Sequence, residues 1–230
     1  MKVIESTRIR FYGRRKGRSL RQGMQALLTD MLPNLRFDAT RPPATQFGQT
    51  TSLQADLVLE IGFGGGEHLA GLAEANPAVN FIGAEPFVNG VASLLRHIQI
   101  RQLKNIRIWD DDVRLILPAL SDASLSQVFI LFPDPWPKKR HAARRILQPQ
   151  MMDVLAQLIR PGGKLVLASD DPTAKGWLLQ TAISHPQFCW TACCPADWSR
   201  RPLHLPATRY MVKAEKASRR PSWFVFDRRA

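Results

Sequence analysis

The chain has 230 residues, of which 45% are hydrophobic and 22% charged; this suits a folded domain with a sizeable core and excludes a disordered or fibrous chain. No apolar run reaches the ~18 residues of a membrane span, and no apolar stretch near the N-terminus resembles a secretory signal. The net charge of +13 is unevenly spread: residues 1–50 carry 10 Lys/Arg against 3 Asp/Glu, residues 51–135 carry 5 against 10, and residues 136–230 carry 17 against 6. An acidic middle between two basic flanks favours a polyanionic partner, nucleic acid before a membrane surface.

The first 50 residues read as a basic N-terminal extension. Arg8, Arg10, Arg14, Arg15, Lys16, Arg18 and Arg21 crowd its start. Met24, Leu27, Leu28, Met31 and Leu32 recur at helical spacing, which predicts a short amphipathic helix over 22–32. Arg41-Pro-Pro-Ala-Thr then breaks the pattern as a linker. Residues 51–230 form the second unit, in which strand and helix alternate. Strands are predicted over 57–61, 79–84, 105–109, 127–132 and 164–169, with a last one over 223–226. Helices are predicted over 69–75, 88–103, 113–117, 151–159 and 177–183, the fourth ending at Arg160-Pro-Gly-Gly. Such alternation implies an α/β fold, a mostly parallel central sheet with helices on both faces. Ligands bind such sheets at the carboxyl ends of the strands.

Cys189, Cys193 and Cys194 have no second Cys/His pair at zinc spacing. They read as buried, reduced thiols, so no metal is expected and a cytoplasmic location follows. A monomer and a homodimer fit the sequence equally.

The strongest local signal is Glu60-Ile-Gly62-Phe-Gly64-Gly65-Gly66, directly after the first strand. Glycines permit a sharp turn and close ligand approach. A dinucleotide fingerprint needs a glycine where Glu67 stands, which disfavours a dehydrogenase. The pattern that fits is E-x-G-x-G-x-G, the nucleotide loop of class I methyltransferases. Glu85 closes the second strand, where an acid accepts bonds from ribose hydroxyls. Asp110-Asp111-Asp112 follows the third strand, with Asp112 the first choice and Asp111 the alternate for an adenine amino group. Carboxylates at successive strand ends repel a pyrophosphate and suit the sulfonium of S-adenosylmethionine.

After the fourth strand comes Phe132-Pro-Asp134-Pro-Trp136-Pro-Lys138-Lys-Arg140-His141. Prolines restrict the backbone on both sides of Asp134. Trp136 offers a stacking face for a base, and Lys138, Lys139, Arg140, Arg144 and Arg145 can hold phosphates.

With the glycine loop upstream, this F-P-D-P-W-x-K-x-R-H segment resembles the bacterial tRNA (guanine-N7)-methyltransferase family. The likeness covers residues 8 to 228 and includes Pro161-Gly-Gly, Ala168-Ser-Asp170 and Thr208-Arg-Tyr210. It implies a Rossmann-like class I methyltransferase fold and transfer of a methyl group from S-adenosylmethionine to guanosine N7 in the variable loop of tRNA. Residues Glu60, Gly62, Gly64, Glu85 and Asp112 would hold the cofactor, and Asp134 would stand at the catalytic centre. Lys138, Asp170, Thr208, Arg209 and Tyr210 would contact the tRNA guanosine. One departure is Met211, where the family usually has Glu. Two other readings stay open: a methyltransferase of another nucleic-acid, protein or amine substrate, and a non-catalytic RNA-binding relative.

Overall fold

A computed structural model describes residues 12–47 and 55–230. Arg8, Arg10 and the boundary between residues 50 and 51 lie outside the described residues.

Strand β1 (Leu57–Ile61) and strand β2 (Asn80–Ala84) are buried along their whole length and pair in parallel, from Leu57 opposite Asn80 to Ile61 opposite Ala84. Strand β3 (Ile106–Trp109) flanks β2, while β4 (Leu125–Leu131) and β5 (Ile159–Ser169) continue the parallel sheet beyond β1. Two further strands complete it. β6 (Phe188–Trp190) takes the edge, and β7 (Ser222–Arg228) inserts antiparallel between β5 and β6. The order is β3-β2-β1-β4-β5-β7-β6. It reverses between β1 and β4, so a crevice opens at their carboxyl ends.

Successive side chains of a strand point to opposite faces, and the two faces have separate cores. Leu59, Ile82 and Ile130 belong to one, together with Met152 and Leu155 of helix α5 (Pro149–Leu158) and Leu178 of α6 (Pro172–Ile183). Val58, Phe81 and Phe129 belong to the other, with Leu69 of α3 (Glu67–Ala75) and Val91, Leu94 and Leu95 of α4 (Val88–Arg101). Helices therefore cover both faces, as the alternation implied. None of them, among the described residues, is long and apolar enough to cross a membrane.

The stretch before β1 is tied to this body. Helix α1 (Gln22–Asp30) packs on α4, and the short helix α2 (Leu32–Leu35) leads into Phe37, whose N–H donates to the Ile108 carbonyl at 2.8 Å. Leu32, Phe37 and Phe47 are buried in the two cores.

Beyond the helix predicted over 113–117, which is two 3-10 turns (Val113–Leu115 and Leu117–Ala119), and the unforeseen strand β6 and helix Pro195–Ser199, three features differ from the sequence reading. Arg160-Pro-Gly-Gly is not a loop between helix and strand. It bulges within β5, which advances from Ile159 to Lys164 while β4 advances only from Leu125 to Gln127; a bulge absorbs extra residues without ending the pairing. The cysteines are free but exposed, not buried. On edge strand β6, Phe188 takes the inward position and Cys189 faces out. Cys193 and Cys194 precede helix α7 (Pro195–Ser199) and contribute backbone N–H groups to the Asp197 carboxylate at 2.8 and 2.9 Å. The third feature is helix α8 (Arg209–Lys216), which periodicity did not single out; the Thr208 hydroxyl caps it by accepting from the Met211 N–H at 3.0 Å.

Candidate active site

A cleft of about 680 Å³ opens at the carboxyl ends of β1, β2 and β4. Its floor is the glycine loop. Gly64 has φ +57°, and a Cβ there would sit 3.1 Å from the Tyr210 ring, so the position demands glycine for conformation and for space. The Gly64 N–H donates to Glu85 Oε2 at 2.8 Å, and the Phe87 N–H donates to Glu85 Oε1 at 3.0 Å. Glu85 thus pins the loop to the end of β2. Burial pushes its carboxyl above the ordinary value of 4.5; the two backbone N–H groups oppose this, and the charges of Asp134 and Glu60 add to it.

The other predicted cofactor contacts divide. Asp112 lines the cleft, but its carboxylate already accepts from the Arg114 N–H at 3.0 Å and from the Arg114 guanidinium at 2.6 Å. Asp111, the alternate, pairs outward with Arg15 at 2.7 Å, and Asp110 pairs with Arg36 at 2.8 Å. The aspartate trio is therefore matched by three arginines and is not a bare acidic wall. Gly62 lines the cleft, whereas Glu60 lies beneath it, 2.9 Å from Nδ1 of His68, with the two side chains 3% and 1% exposed.

The Phe-Pro-Asp-Pro-Trp segment overhangs the opposite wall. Phe132 and Trp136 have φ of +52° and +41°, values that cost a bulky residue energy and persist where the surroundings impose them. The Phe132 N–H donates to the Ala168 carbonyl at 2.7 Å. The Asp134 side chain between these residues is exposed and lines the cleft. The Phe132 ring stacks nearly parallel on Tyr210, at 6.1 Å and 16°. Burial, then the charges of Glu85 and Asp134, push the Tyr210 phenol up, so it stays protonated and can donate. Removal from solvent and the cations Arg144, Arg140 and Lys138 push His141 down, which favours the neutral ring; it lies edge-on to Trp136 at 5.7 Å.

Of the predicted tRNA contacts, Arg209 and Tyr210 line the cleft. Thr208 is buried as the cap of α8, Lys138 is exposed outside the lining, and Asp170 is paired with Arg219 at 2.5 Å. Met211 packs against the α3–α4 core. Among the lining residues that the sequence reading missed are Arg114, Tyr12 and Lys213. Lys213 could have been found, since it lies three residues past Tyr210 on one helix face and its ammonium sits 5.2 Å from the Tyr210 ring. Tyr12 is delivered by the leader. Arg15 accepts at its carbonyl from the Val88 N–H at 2.9 Å, and Asn89 holds Gly17 and Arg18 at 2.8 Å each. No periodicity foretells such tethers.

Comparison with known proteins agrees with this architecture. A family model described as "Putative methyltransferase" matches residues 54–223. The chain is 49% identical over 230 residues to a tRNA (guanine-N(7)-)-methyltransferase of Paramagnetospirillum magneticum, covering 97% of this chain and 94% of the relative. It is 47% identical over 229 residues to the Rhodospirillum rubrum protein of the same name, covering 96% and 88%. Among solved structures, the 16S rRNA methyltransferase KamB superposes with a TM-score of 0.56 at 15% identity, over 81% of this chain and 92% of that one. An rRNA methylase from Streptococcus thermophilus gives 0.51 at 13%, over 77% and 89%. The solved structures speak for the class I methyltransferase fold. With nearly half of all positions shared along almost the whole of both chains, the protein belongs to the tRNA (guanine-N(7)-)-methyltransferase family.

Proposed function

We propose that the protein methylates N7 of a guanosine in tRNA, using S-adenosylmethionine. The observation that carries this reading is one cleft shared by the glycine loop and Glu85 on one side and by Asp134 and Trp136 on the other.

The residues present fit the cofactor. Glu85 and Asp134 put carboxylates beside the glycine loop and on the facing wall, which suits a sulfonium, while Arg144, Arg209 and Lys213 on the same lining suit a phosphate-bearing substrate. Glu85 would accept from the ribose hydroxyls and Asp112 from the adenine amino group, on the lone pairs its bonds to Arg114 leave. Gly62 and Gly64 let the ligand lie against the backbone. Glu60 acts from below, through the negative charge it adds under the loop. When bound, the cofactor supplies an electrophilic methyl group.

Guanine N7 has an in-plane lone pair, so its attack needs no general base, and the product ring keeps a positive charge. Asp134 would orient guanine through its N–H donors and stabilise that charge. Trp136 offers the stacking face, and Tyr210 a protonated phenol. The rate then derives from positioning and electrostatics. Arg209 and Lys138 are suited to phosphates, Thr208 fixes the start of the helix carrying Arg209 and Tyr210, and Asp170 meets the substrate once Arg219 turns to RNA. We divide the chain accordingly into a tRNA-contacting extension, 1–50, and a methyltransferase domain, 51–230. A tRNA substrate fits a cytoplasmic location.

Transfer of labelled methyl to bulk tRNA lacking N7-methylguanosine tests the assignment. Labelled N7-methylguanosine on nucleoside analysis is the expected result; label on another nucleoside overturns the target, and no label overturns the enzyme.

Two further results are expected. Acidification weakens S-adenosylmethionine binding at a pH above that of an ordinary glutamate, because the raised carboxyl of Glu85 protonates early and stops accepting from ribose. Unfolding is not the cause at this residue. A raised folded pKa contributes stability that is fully present below the unfolded value and lost as pH rises through the folded one. Equilibrium dialysis across the weakly acidic range measures the effect, and Glu85→Gln should bind weakly with a flat profile. The second result concerns the leader. Deleting residues 1–21 should weaken tRNA binding and flatten its salt dependence by about 0.7–0.9 for each phosphate that the leader neutralises. An unchanged slope removes the leader from the RNA interface.

A further inference from the structure

Arg144 lines the cleft, yet none of the ion pairs formed among the described residues includes it. Its guanidinium carbon instead lies over two aromatic rings, 4.9 Å from the centroid of Tyr12 and 4.9 Å from that of Trp136. Both rings line the same cleft as Asp134. Trp136 is held from behind: the His141 ring meets it edge-on, and Arg145 Nη2 donates to its carbonyl at 3.2 Å. Tyr12 comes from the leader, 37% exposed, at the mouth of the cleft.

A guanidinium and a purine share one recognition chemistry. Both are flat, electron-poor at their edges and able to stack on an aromatic face. Two rings around a flat cation, without a carboxylate to hold it, describe a slot whose occupant can leave. Resting on the functional reading above, we infer that Arg144 is a placeholder in the slot for the target base. Tyr12 and Trp136 form the walls of that slot. The incoming guanine displaces the guanidinium from the rings, and the freed cation swings to the phosphate of the same nucleotide. The leader's part in recognition is then specific: it supplies one of the two stacking faces as well as charge. The placeholder also disfavours free bases in the slot, since a base without a phosphate offers Arg144 nothing in exchange.

The test uses guanosine, which lacks the phosphate, as the probe on the full chain. Arg144→Ala should bind guanosine about tenfold more tightly than the unaltered protein, the size expected for vacating two partly exposed cation–π contacts. The same variant should bind tRNA more weakly, with a salt slope flatter by about 0.7–0.9 for one phosphate. Adding Tyr12→Ala should abolish the gain for guanosine, and adding Tyr12→Phe should keep it. Ligand-observed NMR titration reads guanosine binding, and thermal melts of each variant confirm that it is folded. Equal or weaker guanosine binding by folded Arg144→Ala overturns the placeholder, as does a gain that survives Tyr12→Ala. The methyl-transfer assay on the unaltered protein separates the two failures. If it makes N7-methylguanosine while Arg144→Ala gains nothing, the placeholder falls alone; if it methylates no tRNA, the reading beneath the slot falls.

Discussion

Replacing Asp134 with Ala is expected to lower kcat by about 10²–10³-fold, the loss typical of one preorganised electrostatic group, while S-adenosylmethionine affinity stays within about threefold. The reason is where Asp134 stands. Its carboxylate accepts no hydrogen bond among the described residues and is exposed to the cleft, so it is unspent in the free protein and available to a base. The fold holds its backbone through Phe132 and Trp136 and does not need its side chain, so thermal stability should not change. Asp134→Asn separates its two roles: it keeps an acceptor for the guanine N–H groups but loses the charge that offsets the cationic ring. An intermediate kcat is expected. A second effect follows from Glu85, whose carboxyl Asp134 helps to raise. Removing that charge should move the acid limb of cofactor binding to lower pH. Equal losses in kcat and in cofactor affinity would instead make Asp134 a cofactor contact.

The sheet was legible because its strands are buried runs. Leu57–Ile61 is apolar but for Glu60 and bounded by a glycine cluster, and it forms β1 with the predicted bounds. Helix α4 was legible through Val91, Leu94, Leu95 and Ile98, which fall on one face and enter one core. What escaped reading lacks such a period. β6 has three residues and exists only as an edge partner of β7, and neither its length nor its composition distinguishes it from a loop. The cysteines read as buried from residue type, yet an edge strand and a helix start left them in solvent.

The candidate site divides along the same line. Gly64, Glu85 and Asp134 were legible because each follows a strand, and strand ends meet in such a fold. The partners were not. Arg114, Arg15 and Arg36 each neutralise one aspartate of the Asp110–Asp112 trio, and two of these pairs join residues more than 70 positions apart in sequence. Composition predicted an acidic middle and basic flanks; it could not reveal that the flanks reach back, through Arg15 and Arg36, to cancel part of that acidity. Tyr12 enters by the same route, through tethers to Val88 and Asn89 that only the folded chain creates.

Gly90→Ala should lower cofactor affinity by about 10- to 100-fold, the range expected for losing one hydrogen bond to a charged group. Gly90 lies in the first turn of α4, and a Cβ there would stand 2.2 Å from the Gly64 carbonyl oxygen and 3.3 Å from Glu85 Cγ. The first contact is to backbone, so no rotamer change relieves it. The helix or the glycine loop must move, and the loop carries the Gly64 N–H that Glu85 accepts. Alanine recovers roughly 1 kcal/mol of helix propensity, while overpacking of this kind costs about 1–3 kcal/mol; the fold should survive with a modest loss, and the binding site should not. Gly176→Ala is the matched control. Gly176 is an exposed residue inside α6 with nothing within 4 Å of the added methyl, so the same substitution should stabilise by about 0.5–1 kcal/mol and leave affinity unchanged. Calorimetric titration with S-adenosylhomocysteine, alongside thermal melts of both variants, reads the contrast. If Gly90→Ala bound the ligand as the unaltered protein does, the contact between α4 and the glycine loop would not be what holds Glu85 and Gly64 in place.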